Sequence, residues 1–296
     1  MHAPRMFLTI ASFIIGSLLN VNAQSNAGHE TEMIPDTPEG IYIASTPGTY
    51  SYRATNKEGK VTGFYLLADA ADRIKITFTQ FDVPCGENSE TGSLVQYTDG
   101  WELNRQVFPI TESHPDPKVT EFCSNNPPGE RTFVSSQNGA LITFKIFEVD
   151  KGFTVKVEHQ KHPSPCNVIS NGEPYVVLRN HGSKINCSYW FISKAKVTLN
   201  SYSIGNSQSS DDTSVKCSDR IEIGGSDGLD PDSIELLDTV CNNSNDKTEK
   251  LINCSTTTIK LVSSGAYENY LNVTIEPVDP EEPISNTKYR CHQTAK

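Results

Sequence analysis

Eight cysteines are the residues of this sequence best equipped for chemistry: Cys85, Cys123, Cys166, Cys187, Cys217, Cys241, Cys254 and Cys291. Thiolates either bind soft metals or pair as disulfides, and compartment and spacing decide which. No Cys-x-x-Cys pair occurs, which argues against a zinc site. Eight thiols allow on the order of a hundred disulfide pairings, and spacing alone does not choose among them. Pairing in chain order would close loops of a few tens of residues, each bridge contributing roughly 3–4 kcal/mol if loop entropy dominates.

The remaining reactive side chains form no catalytic pattern. His29, His114, His159, His162, His181 and His292 never fall in a His-Glu-x-x-His helix, and no Gly-x-Ser-x-Gly elbow is present. Asp230 and Asp232 flank Pro231, which suits a turn better than acid–base work. Gly224-Gly225 lacks the lysine of a phosphate-cradling loop. The reading is of a protein that is not an enzyme and needs no cofactor and no metal. Asn186, Asn242, Asn253 and Asn272 each open an Asn-x-Ser/Thr sequon, so each is a glycan acceptor if the chain is exported. Cys187 and Cys254 occupy the middle of two of them, where a forming bridge competes with the glycan; Asn253 is the weakest of the four.

The N-terminus sets the compartment. A basic opening through Arg5 precedes an apolar run from Met6 to Leu19, and Val21-Asn22-Ala23 supplies small residues before a cut. Residues 1–23 therefore read as a secretory signal peptide. The run is shorter than the ~20 apolar residues a membrane span needs, so no membrane insertion is expected. The protein is expected to be secreted and extracellular, with its cysteines oxidised. A formal net charge of −11 argues against nucleic acid as a partner, because phosphates demand a basic patch.

The elements that must hold these residues read as strands. Residues 24–38 are polar, with two prolines, and read as a flexible N-terminal arm. Period-two alternation then recurs at 49–53, 74–81, 141–149 and 153–158, with Asp150-Lys151-Gly152 as a hairpin turn. Two prolines within 159–165 break the pattern. It restarts at 175–178, 188–192, 196–204, 220–223, 257–262 and 270–275; Pro231 to Leu237 could form one helical turn. Many short strands at such spacing mean sandwiches or barrels, and two similar halves mean two tandem β-sandwiches in an all-β chain.

The residues around the cysteines carry a resemblance. Cys187-Ser-Tyr-Trp-Phe-Ile, Val197-Thr-Leu and Cys217-Ser-Asp-Arg-Ile-Glu-Ile223, with Cys241 downstream, resemble a CUB domain. Phe81-Asp-Val-Pro-Cys85, Asp99-Gly-Trp101, Phe122-Cys123 and Gly152-Phe153 look like the second half of another. A closer resemblance covers most of the chain. Asp99-Gly-Trp-Glu-Leu103, Phe108-Pro109, His114-Pro, Glu121-Phe-Cys123 and Ser135-Ser-Gln-Asn138 match the corticotropin-releasing-factor-binding protein family. So do Pro165-Cys-Asn-Val-Ile-Ser170, Asn186-Cys-Ser188, Gly224-Gly-Ser-Asp-Gly-Leu-Asp-Pro231 and Val262-Ser-Ser-Gly265.

That resemblance implies two CUB-like domains, at 39–160 and 166–277, and a tail at 278–296 tethered through Cys291. It implies the pairs Cys85–Cys123, Cys166–Cys187, Cys217–Cys241 and Cys254–Cys291, and it favours Asn186 as a glycan site. The implied function is to sequester a peptide hormone, an amphipathic helix when bound, and so to limit receptor activation. The chain departs from the family at its start: an early cysteine pair falls near Gly40 and Thr62, and both cysteines are absent together. The arginine and aspartate linked to ligand binding fall near Asp36 and Tyr42. Neither matches, and the expected ligand is a peptide hormone of the corticotropin-releasing-factor or diuretic-hormone-like class. Asp36, Tyr42 and Trp101 are the candidate ligand contacts. The alternative is a CUB-type adhesion or protein-interaction module with a calcium-dependent partner. Asp219 stands where calcium-binding CUB domains place a ligand, but Ser263-Ser264-Gly265 replaces the late aspartate, and a capped turn is the simpler reading.

Overall fold

The structure, a computed structural model, describes residues 31–86, 92–103, 106–109, 119–129, 132–170, 172–205, 217–241, 248–278 and 291. The signal-peptide expectation and the sequon at Asn242 lie outside them. The chain divides between His162 and Pro163 into two compact units.

The first unit begins with β1 (Thr31–Met33), β2 (Ile41–Ala44), β3 (Gly48–Arg53), β4 (Thr62–Leu67), β5 (Asp72–Asp82) and β6 (Leu94–Thr98). It continues with β7 (Trp101–Leu103), β8 (Gln106–Phe108), β9 (Val119–Phe122), β10 (Thr132–Val134), β11 (Gly139–Lys145) and β12 (Gly152–Lys161). One sheet runs β1-β3-β12-β5-β10 and the other β2-β4-β11-β6-β9. Pairing is antiparallel except at the β1–β3 and β2–β4 edges, which are parallel. Alternate residues of both sheets meet in one core: Tyr50, Ile74, Ile76, Phe78, Phe153 and Val155 from the first, Phe64, Leu66, Val95, Ile142 and Phe144 from the second. The unit is therefore a sandwich. Phe78 is central, with the rings of Phe81, Phe122 and Phe153 all 5.9 Å away. Each such aromatic pair adds about 0.5–1.5 kcal/mol beyond its buried area.

The second unit repeats the plan with β13 (Asn167–Ile169), β14 (Tyr175–Arg179), β15 (Cys187–Phe191), β16 (Ala195–Ser203) and β17 (Arg220–Ser226). A single 3-10 turn at Pro231–Ser233 leads to β18 (Glu235–Val240), β19 (Thr248–Ile252), β20 (Thr256–Val262) and β21 (Tyr270–Pro277). Its sheets run β13-β15-β20-β17-β18 and β14-β21-β16-β19. Matched in chain order, β13 to β21 occupy the places of β2 to β6 and β9 to β12. Even the irregularity in register recurs, between Thr154 and Val155 in the first unit and between Leu199 and Ser201 in the second. The fold is all-β, with the same two-sheet plan in both units. The first carries two additions among the described residues: strand β1 and the hairpin β7–β8.

Residues 31–36 correct the expectation of a flexible arm. Thr31–Met33 pair with β3, and Ile34 is a buried core residue whose amide donates to Ser51 O. One apolar residue sunk into the sandwich and a backbone ladder outweigh the polar composition. The turn expected over 231–237 is half right: the 3-10 turn stops at Ser233 and the chain becomes strand.

Candidate functional site

The four disulfides join Cys85 to Cys123, Cys166 to Cys187, Cys217 to Cys241 and Cys254 to Cys291. The last ties residue 291 to the start of β20.

Asp36 and Tyr42 are turned to structural use. The Asp36 carboxylate accepts from the Tyr52 hydroxyl at 2.9 Å and from Thr55 Oγ1 at 2.7 Å. Tyr42 lays its ring against Phe64, centroids 5.7 Å apart, and donates its hydroxyl to Glu32. Burial pushes both phenols well above their ordinary range, and the adjoining carboxylates push the same way. Both tyrosines therefore stay protonated and donate, fastening residues 32–36 onto β2 and β3. Trp101 is 4% exposed, its indole N–H donates to Leu66 O at 2.8 Å, and Tyr65 meets it edge-on at 5.2 Å. A ring so enclosed is a packing residue on the outer face of the second sheet, not one presented to solvent. The three candidate contacts are not brought together into one surface.

Asp219 is buried, and Oδ1 accepts the backbone amide of Ser264. Its Oδ2 is buried without a partner among the described residues. Among those residues no three His, Cys, Asp or Glu side chains converge as metal ligands. A calcium ion takes 6–8 oxygens, and here a peptide amide occupies one carboxylate oxygen.

The sequons differ in environment. Asn186 is exposed, and its Oδ1 accepts from Ser263 N at 3.2 Å, leaving Nδ2 for a glycan. Asn253 and Asn272 are half-buried, each with a buried, unpartnered Oδ1 among the described residues. Asn272 lies within β21, which is paired on both sides.

A small concavity of about 140 Å³ lies on the second unit, lined by Glu222, Gly224, Pro231, Ile234, Leu236, Thr258 and Lys260. Its floor is the outer face of β17 and β20, where Gly224 sits opposite Thr258 and Glu222 opposite Lys260. Its wall is the turn Pro231–Ser233 and the start of β18. In the first unit the corresponding connection, between β6 and β9, contains the hairpin β7–β8, whose Trp101, Leu103 and Phe108 are buried. The shorter connection of the second unit leaves the face partly open. Gly224 is required by close approach: a Cβ there would stand 2.3 Å from Glu235 O. Leu236 is 51% exposed. Arg220 holds Glu222 Oε1 through Nε and Nη2, both at 2.7 Å. Lys260 has no ion-pair partner among the described residues, and Thr258 Oγ1 is buried without a hydrogen-bond partner among them. The arrangement can seat one apolar side chain with a carboxylate reaching Lys260. Gly224 and Pro231 line the same concavity, and a glycine inside a strand is the sequence signal of such a close approach.

Each unit is a disulfide-bonded β-sandwich. Family comparison names the kind. The model described as "Corticotropin-releasing factor binding protein N-terminal domain" matches residues 37–161, and its C-terminal counterpart matches residues 168–283. The chain belongs to the corticotropin-releasing factor binding protein family, a family of binding proteins and not of enzymes. The corticotropin-releasing factor-binding protein of Ovis aries is 28% identical over 261 residues, covering 83% of this chain and 78% of the relative. That of Homo sapiens is 27% identical over 259 residues, with the same two coverages. Among solved structures, the CUB1-EGF-CUB2 domains of rat MASP-1 align over 80% of this chain and 99% of that one, at 11% identity and a TM-score of 0.27.

Proposed function

We propose that this protein is a secreted binder that sequesters a peptide hormone of the corticotropin-releasing-factor or diuretic-hormone-like class and so limits receptor activation. The observation that carries this reading is the match of both family models, one to each unit. The hormone is taken as an amphipathic helix gripped by one apolar face, a recurrent mode for such peptides. The concavity beside Leu236 is the proposed anchor. It is sized for a single apolar residue, and Lys260 at its side favours a neighbouring acidic residue on the same helix face. The net charge of −11 assists capture of peptides that are basic elsewhere, mainly through the association rate.

Sequestration has a pharmacological signature. In cells expressing the hormone receptor, added protein should shift the hormone dose–response curve to higher concentration, in proportion to the protein, at constant maximum. A lowered maximum would mean that the protein acts on the receptor instead.

A further inference from the structure

The two units differ at one sheet edge. In the first unit the edge of β3 is closed by the parallel strand β1. Parallel short strands also close two further edges, with β2 on β4 and β13 on β15. The fourth equivalent edge, that of β14, carries no strand among the described residues. The reason is chain length. The strand β1 precedes β2, and its equivalent would have to precede β13. But β12 runs to Lys161 and β13 starts at Asn167, and Cys166 O is already held by Ser188 N. Residues 163–165, two of them proline, are all that remain.

The open edge is built to pair. Pro174 O accepts from Ile275 N at 2.8 Å, so Val176 and Leu178 are the next positions bonded to β21. The N–H and C=O groups of Tyr175 and Val177, and the N–H of Arg179, therefore point outward, away from β21, while Arg179 O lies 3.3 Å from Cys187 Sγ. Their side chains share the outer face, where Tyr175 is 50% and Val177 39% exposed. Arg179 is exposed, stacks on the Tyr270 ring at 5.6 Å and has no carboxylate partner among the described residues. No proline, lysine or inward-facing charge blunts this edge, as natural sheets usually arrange.

We propose that the β14 edge is a strand-addition site for an extended, acidic segment of a partner polypeptide, bound parallel to β14 as β1 is to β3. Backbone bonds to Tyr175 and Val177 supply the ladder, β-branched residues of the segment pack beside their side chains, and a carboxylate toward its C-terminal end reaches Arg179. The proposal is independent of the hormone reading, which uses a different sheet.

The test uses the full chain, dilute, with the synthetic peptide acetyl-Val-Thr-Val-Thr-Glu-amide and its reversed sequence. Amide hydrogen exchange is read at Tyr175, Val177 and Arg179. These amides should exchange freely in the protein alone and become protected on adding the forward peptide, which should bind about ten-fold tighter than the reversed one. Val177→Pro removes an outward N–H without touching the β21 ladder and should abolish protection of the neighbours. Arg179→Glu, which does not depend on a proline being tolerated, should weaken the peptide by about ten-fold or more. Protection already present in the protein alone, or appearing only as its concentration rises, would mean that the chain itself or a second copy occupies the edge and would overturn the proposal. So would the absence of protection at saturating peptide, or preference for the reversed sequence.

Discussion

The buried Asp219 carboxylate accepts the backbone amide of Ser264, bridging the start of β17 to the turn after β20. An acceptor, rather than a charge, is what this contact requires. Asp219→Asn keeps the acceptor and should leave stability near wild type. Asp219→Ala strands a buried amide and should cost about 1–3 kcal/mol, read as a lower denaturant midpoint. The melting temperature should be the same in calcium and in chelator; a calcium-dependent rise would show that the carboxylate serves as a ligand.

Trp101 supplies a second contrast. Trp101→Phe retains most of the ring but leaves Leu66 O without its indole donor, and should cost about 1–2 kcal/mol. Trp101→Ala also opens a cavity beside Tyr65 and Gly139 and should cost about 3–5 kcal/mol. If either variant weakened peptide binding at unchanged stability, Trp101 would be a ligand contact after all.

Much of the sandwich was legible where one face is wet and one is buried. In β5 and β16 burial alternates residue by residue, and period two shows it. In β4 every residue is buried, and in β11 all but the last, so Thr62–Leu67 gave no alternation to find. The cause is partly the hairpin β7–β8, whose Trp101 meets Tyr65 edge-on from the outer side. Motif placement located Asp36 and Tyr42 but not their partners. Tyr52 and Thr55 reach Asp36 across 16 and 19 residues, a proximity that exists only after β3 folds back. The concavity was hidden for a similar reason, since it arises between a strand face and a turn that no local pattern relates.

His159, on β12, gives a pH dependence. Burial pushes its imidazole below the ordinary 6.5, against the opposing pull of Asp72 and Asp69. The fold thus favours neutral His159. That contribution is complete above pH 6.5 and is lost as pH falls from 6.5 toward the lower folded value, because the unfolded chain takes up the proton first. Denaturant midpoints measured through this window should fall with acidification. His159→Gln should remove part of the slope, and an unchanged slope would assign it to other groups.

Glycan occupancy should follow exposure among the described sequons. Both Asn186 and Asn253 adjoin a bridged cysteine, so exposure decides: peptide mass mapping after enzymatic release in heavy-oxygen water should find the exposed Asn186 occupied and Asn253, with its buried side-chain oxygen, bare. The reverse pattern would mean that glycosylation precedes closure of the Cys254 bridge.

The most direct measurement is a calorimetric titration of the purified chain with corticotropin-releasing-factor and diuretic-hormone-like peptides, repeated on Leu236→Asp. At least one peptide should bind one to one with a Kd well below about 10 μM, and the variant should weaken it by about ten-fold or more with its melting curve unchanged. Binding of none of these peptides below about 10 μM would contradict hormone sequestration, and tight binding unaffected by Leu236→Asp would move the anchor away from the concavity.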